Sequence, residues 1–338
     1  MTSAGEPLHL AARVEDAVQS LRQRWGLRRG LVPTIVPFTG YGGAGWIRVL
    51  GRVVLRRPPE PGAVEDEFRG IRGWRSFTSV HVPDVEVRVR SGRTTRTIRS
   101  DRGGVLDAHI DVTLTPGWHR ITLDIEGGAR VEAPVFVVDE RVDVGLVSDV
   151  DDTVMVTALP RPFLAAWNTF VLDEHARDPV AGMAVLYERL TRAHPGAPVI
   201  YLSTGARNDA PTLTRFLGRH LYPRGTLLLT DWGPTHDRWF RSGPEHKRRE
   251  LARLASEFPA MRWLLVGDDG QHDPELYAEF AQAHPDNVAA VAIRQLTTGE
   301  AVLAGGRSDP EPHPSGVPWV YAPDGAGLSA RLTELGLL

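Results

Sequence analysis

VDVGLVSDVDDTV, residues 142–154, sets the architecture of this chain. Six residues with one charge run into Ser148 and then into three aspartates within four positions, Asp149, Asp151 and Asp152. An apolar run this short, closed by polar residues, reads as a buried strand, because a buried helix needs roughly ten or more. The pattern recurs downstream as APVIYL (197–202), GTLLL (225–229), RWLLV (262–266) and VAAVAI (288–293), with helical segments between. Uninterrupted apolar strands alternating with helices predict an α/β domain, a doubly wound parallel sheet covered on both faces. Asp178-Pro179 and Asp273-Pro274 each place a capping residue before a proline suited to a first helical turn. Residues 299–318, rich in glycine and proline, predict a loop before a closing helix near 326–336.

Upstream the rhythm differs. VEVRVR (85–90), HIDVTL (109–114) and HRITLDI (119–125) alternate with period two between glycine and proline turns, which predicts a small β-sandwich or barrel. Before it, Leu10, Val14, Ala17, Leu21 and Trp25 recur at helical spacing, so residues 7–29 predict an amphipathic helix. The expected organisation is therefore an N-terminal helix in 1–32, a β-sandwich domain over 33–139 and an α/β catalytic domain over 140–338.

With 42% hydrophobic and 24% charged residues the 338-residue chain is an ordinary globular one. A net charge of −3 gives no general attraction to nucleic acid, so a phosphate-bearing ligand needs a local site. The absence of cysteine excludes disulfides, thiolate metal sites and thiol nucleophiles. The start of the chain lacks a basic segment followed by an apolar core, and no stretch of 18 mostly apolar residues occurs. A cytoplasmic protein without a transmembrane segment is expected.

Ligands in doubly wound sheets bind beyond the carboxyl ends of the strands, so the residues just past each apolar run carry the chemistry. The first run delivers Asp149, Asp151, Asp152 and Thr153, the second Ser203-Thr204-Gly205, and the fourth Asp268-Asp269 with Asp273 close behind. Lys247, the single lysine among 39 lysines and arginines, is expected in the first turn of the helix before that fourth run. Singly each residue has an ordinary explanation as an acidic turn, a helix cap or a surface charge. Three carboxylates in one crevice, however, cost several kcal/mol in repulsion and desolvation unless a cation joins them. A hard divalent ion with oxygen ligands, Mg²⁺ by size and habit, removes that cost. Such an ion beside a hydroxyl and a compact ammonium describes a site for a phosphoryl group, where a planar guanidinium would be too wide.

DVDDT at 149–153 resembles the DxDxT signature of the haloacid dehalogenase superfamily of phosphatases. SDVDDT, LLLTDWG (227–233), HK (246–247), GDDGQHDPELY (267–277) and AIR (292–294) are more narrowly similar to the phosphatidate phosphatase catalytic-domain family, fungal actin-patch-protein type, over about 140–335. The bacterial members of that family look like this chain. Asp269 departs from the fungal pattern, which has a serine there, so either Asp269 or Asp273 can be the second acidic group of the motif. STGARN (203–208) also differs from the fungal stretch.

The resemblance implies a Mg²⁺-dependent phosphomonoester hydrolase of phosphatidate or a related lipid phosphate, peripheral to the membrane. It implies that Asp149 is the nucleophile forming an aspartyl-phosphate, and that Asp151 is the general acid and base. Thr153 orients the loop, Ser203 (with Thr204 and Gly205) and Lys247 hold the phosphate, and the metal set is Asp149, Asp151, Asp268 and either Asp269 or Asp273. Phe163, Ala166, Trp167 and Phe170, in the short insert after the first strand, are candidates for an apolar wall at the entrance. The alternatives are a phosphatase of phosphoproteins or small soluble phosphates, a receiver-type domain, and an inactive lipid- or protein-binding module.

Overall fold

The computed structural model describes residues 21, 23–58, 80–156, 178–230, 236–270, 272–304 and 316–338, with the backbone alone for 236–242 and 303–304. The expected helix over 7–20, the apolar wall at Phe163, Ala166, Trp167 and Phe170, and residues 231–233 of the LLLTDWG motif lie outside the described residues. The chain divides into two compact units, one of 1–70, 78–114 and 118–135, the other of 71–77, 115–117 and 136–338.

The first unit is built from eight strands: β1 (Val32–Pro37), β2 (Gly40–Gly43), β3 (Trp46–Arg56), β4 (Glu86–Ser91), β5 (Thr94–Arg99), β6 (Val105–Asp111), β7 (Gly117–Ile125) and β8 (Val131–Val137). They form one hydrogen-bonded path, β1-β3-β2-β8-β7-β4-β5, with β6 along β3, in place of the two separate sheets of the expected sandwich. The long β3 makes this possible. One edge pairs with β6 from Trp46 to Arg52, while the other pairs first with β2 and then with β1. β5 also touches β6, so the sheet curls back on itself and buries Ile47, Val49, Val87, Val89, Ile121 and Leu123. Residues 23–28 are helical, and Leu21 and Trp25 are exposed.

The second unit holds a six-stranded sheet of β9 (Val144–Ser148), β10 (Val199–Ala206), β11 (Thr226–Thr230), β12 (Arg262–Asp268), β13 (Val288–Arg294) and β14 (Trp319–Ala322). The order is β11-β10-β9-β12-β13-β14, and every neighbouring pair is parallel. In chain order this is 3-2-1-4-5-6, so the direction of winding reverses between β9 and β12, the place where such sheets leave a crevice beyond their carboxyl ends. The helices are α1 (Met183–Ala193), α2 (Ala210–Arg219), α3 (His236–Glu257), α4 (Asp273–Ala283), α5 (Thr298–Ala304) and α6 (Gly325–Glu334). β9 is wholly buried, and Gly145 within it has a packing reason: a Cβ there would meet the Trp263 ring at 2.5 Å. Glycine lets the fully buried indole lie across the neighbouring strand.

Four sequence expectations are corrected. Lys247 lies in the middle of α3, which begins at His236, so the amino end of that helix does not reach it. Asp178-Pro179 does not cap α1, whose N-cap is Gly182 in the left-handed region; Pro179 instead bridges Met155. Residues 298–304 form α5 where a loop was expected, started by a reciprocal cap in which Thr297 N donates to Glu300 Oε2 (2.8 Å) and Glu300 N to Thr297 Oγ1 (3.3 Å). The short β14 adds a sixth strand that the sequence reading lacked.

Candidate active site

β9 ends at Ser148, but its ladder with β12 extends one bond further, Asp149 N donating to Val266 O at 2.8 Å. The Asp149 carboxylate therefore emerges at the point where the sheet changes direction. The chain then closes a tight turn: Val154 N and Met155 N both donate to Val150 O (3.0 and 3.1 Å), and Asp152 N donates to Met155 O (2.8 Å). Asp152 sits at φ 57°, a left-handed conformation that aspartate tolerates better than most residues. Three buried tyrosines fix the surrounding backbone: Tyr277 Oη donates to Val266 O (3.0 Å), Tyr222 Oη to Val154 O (2.8 Å), and Tyr187 Oη lies 2.6 Å from Ser148 Oγ. Burial pushes the Tyr187 and Tyr277 phenols well above their ordinary range, so they remain neutral hydroxyls.

Ser203, buried in β10, donates to Asp151 Oδ2 at 3.1 Å and accepts from Gly205 N at 2.9 Å. Thr230 Oγ1, at the end of β11, donates to both Thr204 O (2.8 Å) and Gly205 O (3.1 Å), which anchors this second loop. Lys247 is buried, and its ammonium donates to Asp149 Oδ1 at 2.7 Å and to Asp273 Oδ1 at 2.5 Å. Burial works against that charge, but the Asp149 and Asp273 carboxylates outweigh it and raise the ammonium pKa.

The two candidates for the second acidic group part company here. Asp269 Oδ1 accepts from Leu296 N at 2.8 Å, so its side chain secures the chain leaving β13 and does not join the acidic cluster. Asp273 does join it. It is not the cap of α4, since the N-cap position is His272. Its carboxylate lies over Gly267, where a Cβ would come within 2.6 Å of Asp273 Oδ2 and 2.8 Å of its Cβ. One oxygen each of Asp149, Asp268 and Asp273 lies within 4.8 Å of the others, all three residues buried. The Asp151 side chain stays outside that trio, turned to Ser203. Thr153, buried completely, has no hydrogen-bond partner for its Oγ1 among the described residues, so the orienting bond expected of it is not seen.

Three carboxylates against one ammonium leave two negative charges in a buried volume. Burial raises the pKa of Asp149 well above the usual carboxylate range, with Lys247 opposing the shift and Asp273 and Asp151 adding to it. Asp268 is raised likewise by burial, then by Asp273 and Asp149, against the bond it accepts from Gly270 N at 2.7 Å. Asp273 Oδ2 is buried with no hydrogen-bond partner among the described residues, an acceptor without a protein donor. Oxygen donors only, a deficit of two positive charges and an orphaned acceptor fit one hard divalent cation.

Arg294 and Glu300 were missed as contributors. Arg294 closes β13 with a buried guanidinium whose Nη1 donates to Asp152 O at 2.6 Å and whose Nη2 donates to Glu300 Oε1 at 2.6 Å. The signals available in the sequence were a charge ending an apolar run and the Thr297-x-x-Glu300 capping pattern.

Fold and site together define an α/β protein with a buried acidic crevice, able to hold a cation, at the reversal of a parallel sheet. Residues 144–295, which hold every member of that crevice, match the family described as phosphatidate phosphatase APP1, catalytic domain. The chain is 26% identical over 202 residues to Phosphatidate phosphatase APP1 of Saccharomyces cerevisiae, covering 58% of this chain and 34% of that protein. It is 24% identical over 166 residues to Uncharacterized protein C29B5.04c of Schizosaccharomyces pombe, covering 49% of this chain and 27% of that one. The match thus spans about a third or less of those relatives' own length. Among solved structures, a carbohydrate acetylesterase from Xanthomonas citri aligns over 81% of this chain and 73% of its own at 11% identity, with a TM-score of 0.31.

Proposed function

We propose that the protein is a Mg²⁺-dependent phosphomonoester hydrolase of the haloacid dehalogenase type, with phosphatidate or a related lipid phosphate as substrate. The observation that carries this reading is the Asp149–Lys247–Asp273 arrangement with Asp268 beside it, buried at the switch point of the sheet. The family that residues 144–295 match supports the choice of lipid phosphate, and the strand order supports the doubly wound class. On this reading residues 140–338 are the catalytic domain and 33–139 an accessory β-domain. No helix among the described residues is long and apolar enough to cross a membrane. The proposed enzyme reaches lipid from the membrane surface, on the cytoplasmic side.

Asp149, Asp268 and Asp273 would hold the metal, with the backbone carbonyl of Asp151 as a further oxygen donor. The metal, when bound, supplies positive charge against the phosphoryl oxygens. Asp149 attacks phosphorus through its carboxylate, the bond to the alkoxy oxygen breaks, and an aspartyl-phosphate remains. Asp151 gives its proton to the departing alcohol and then takes one from the water that hydrolyses the intermediate. Its bond from Ser203 holds the carboxyl in place between these steps. Lys247 exchanges part of its contact with Asp149 for the transferred phosphoryl group, a compact charge suited to a narrow site. Released phosphate from phosphatidate in micelles, from a phosphopeptide and from a soluble sugar phosphate, each with Mg²⁺, tests the substrate class. Fast turnover of a soluble monoester with inert phosphatidate would overturn the lipid assignment.

A further inference from the structure

We propose that Arg294, held by Glu300, is a positioning residue that sets the backbone of the 149–155 turn and through it the aim of Asp149 and Asp151; this deepens, and rests on, the phosphatase reading. One guanidinium meets three separate segments. Nη1 donates to Asp152 O at 2.6 Å, Nη2 to Glu300 Oε1 at 2.6 Å, and Nε to Pro323 O at 3.4 Å. The carbonyl of Arg294 itself accepts from Asp269 N at 3.0 Å. The residue therefore joins the chain leaving β9, β12, β13 and β14 on the crevice side of the sheet. Its planar fork of donors can serve three acceptors at once, which an ammonium on a single stem cannot do in fixed directions.

The contact at Asp152 gives this junction a consequence for chemistry. Asp152 stands directly after Asp151 and adopts φ 57°, and its carbonyl accepts from the buried Arg294 guanidinium at 2.6 Å. A buried backbone carbonyl is costly to leave without a donor, and Arg294 supplies one here. Glu300 fixes the guanidinium with one carboxylate oxygen and caps α5 with the other, so the start of α5 and the turn share one support. A residue that only stabilised the domain would change the melting temperature and leave kcat alone. A residue that aims Asp151 changes kcat with little effect on KM, since Ser203 and Lys247 remain to hold the phosphate.

The test uses the full chain with Mg²⁺ and an aryl phosphate. Arg294→Ala is expected to lower kcat by about ten- to a hundredfold with KM within about threefold, the scale on which small misplacements of catalytic groups act. Added guanidinium ion is expected to restore part of kcat, and Val154 and Met155, whose amides close the turn, are expected to exchange with deuterium faster while β12 is unchanged. Glu300→Gln, which retains an oxygen for Arg294, is expected to give a smaller loss of the same kind, and it decides the matter if Arg294→Ala does not fold. A folded Arg294→Ala protein with wild-type kcat and wild-type exchange at Val154 and Met155, or a rise in KM alone, overturns the proposal. If the wild type itself releases no phosphate, the phosphatase reading fails, and the exchange comparison still decides whether Arg294 holds the turn.

Discussion

Lys247 illustrates what a single side chain must do here. Its ammonium sits between two carboxylates at 2.7 and 2.5 Å with almost no solvent, a distance and burial at which the identity of the cation matters. Lys247→Arg keeps the charge but needs a wider plane of donors, so turnover is expected to drop by about 10²-fold or more while the protein still folds; a steady-state assay alongside circular dichroism reads both. Gly267 is tested in the same way from the packing side. A methyl group there would press on Asp273 Oδ2 at 2.6 Å, so Gly267→Ala is expected to cost about 1–3 kcal/mol in urea unfolding and to weaken Mg²⁺ binding measured by calorimetry. Unaltered metal affinity in that variant would show that Asp273 is not a ligand. The aspartates themselves were legible from spacing after each apolar run. Which of Asp269 and Asp273 faces the crevice was not, because that depends on how the chain turns after β12 and on the claim Leu296 N makes on Asp269.

At the scale of elements, the buried strands were readable because each is short, uninterrupted and closed by polar residues, and β9 through β13 stand where those runs are. β14 escaped notice because four residues after a proline- and glycine-rich stretch carry little periodicity, and α5 because a glycine in its first turn masked the Thr297 and Glu300 cap. The placement of Lys247 failed for a different reason: α3 begins at His236 and runs through Pro244, a residue that ordinarily opens a helix and here lies inside one. His246, next to Lys247 on α3, supplies a test of this helix. Its Nε2 faces Leu228 O at 3.4 Å and its Nδ1 lies 3.0 Å from Arg249 Nη2, an arrangement of the neutral ring. Burial lowers its pKa from 6.5 to about 3. Between those values the unfolded chain binds the proton and the folded one does not, so stability falls as pH drops from 6.5 toward 3. His246→Gln is expected to flatten that part of a melting-temperature profile, and an unchanged slope would place the acid sensitivity elsewhere.

For the molecule as a whole, every residue of the acidic crevice belongs to the second unit, and the family match lies entirely within it. Residues 140–338 alone are therefore expected to keep Mg²⁺-dependent turnover of a soluble aryl phosphate, with any loss confined to phosphatidate in micelles; loss of both would bring the first unit into the chemistry. The eight-stranded sheet of that unit was legible as alternating strands but not in its closure, since the sequence does not say that β3 carries three partners.

Whether a divalent metal held by Asp149, Asp268 and Asp273 serves phosphoryl transfer to Asp149 is decided by phosphate release from an aryl phosphate with and without Mg²⁺, for the wild type and Asp149→Asn together. Turnover that requires the metal is expected in the wild type, and none in the variant. Equal turnover in Asp149→Asn, or wild-type turnover indifferent to chelation, would contradict that role for the metal and the aspartate.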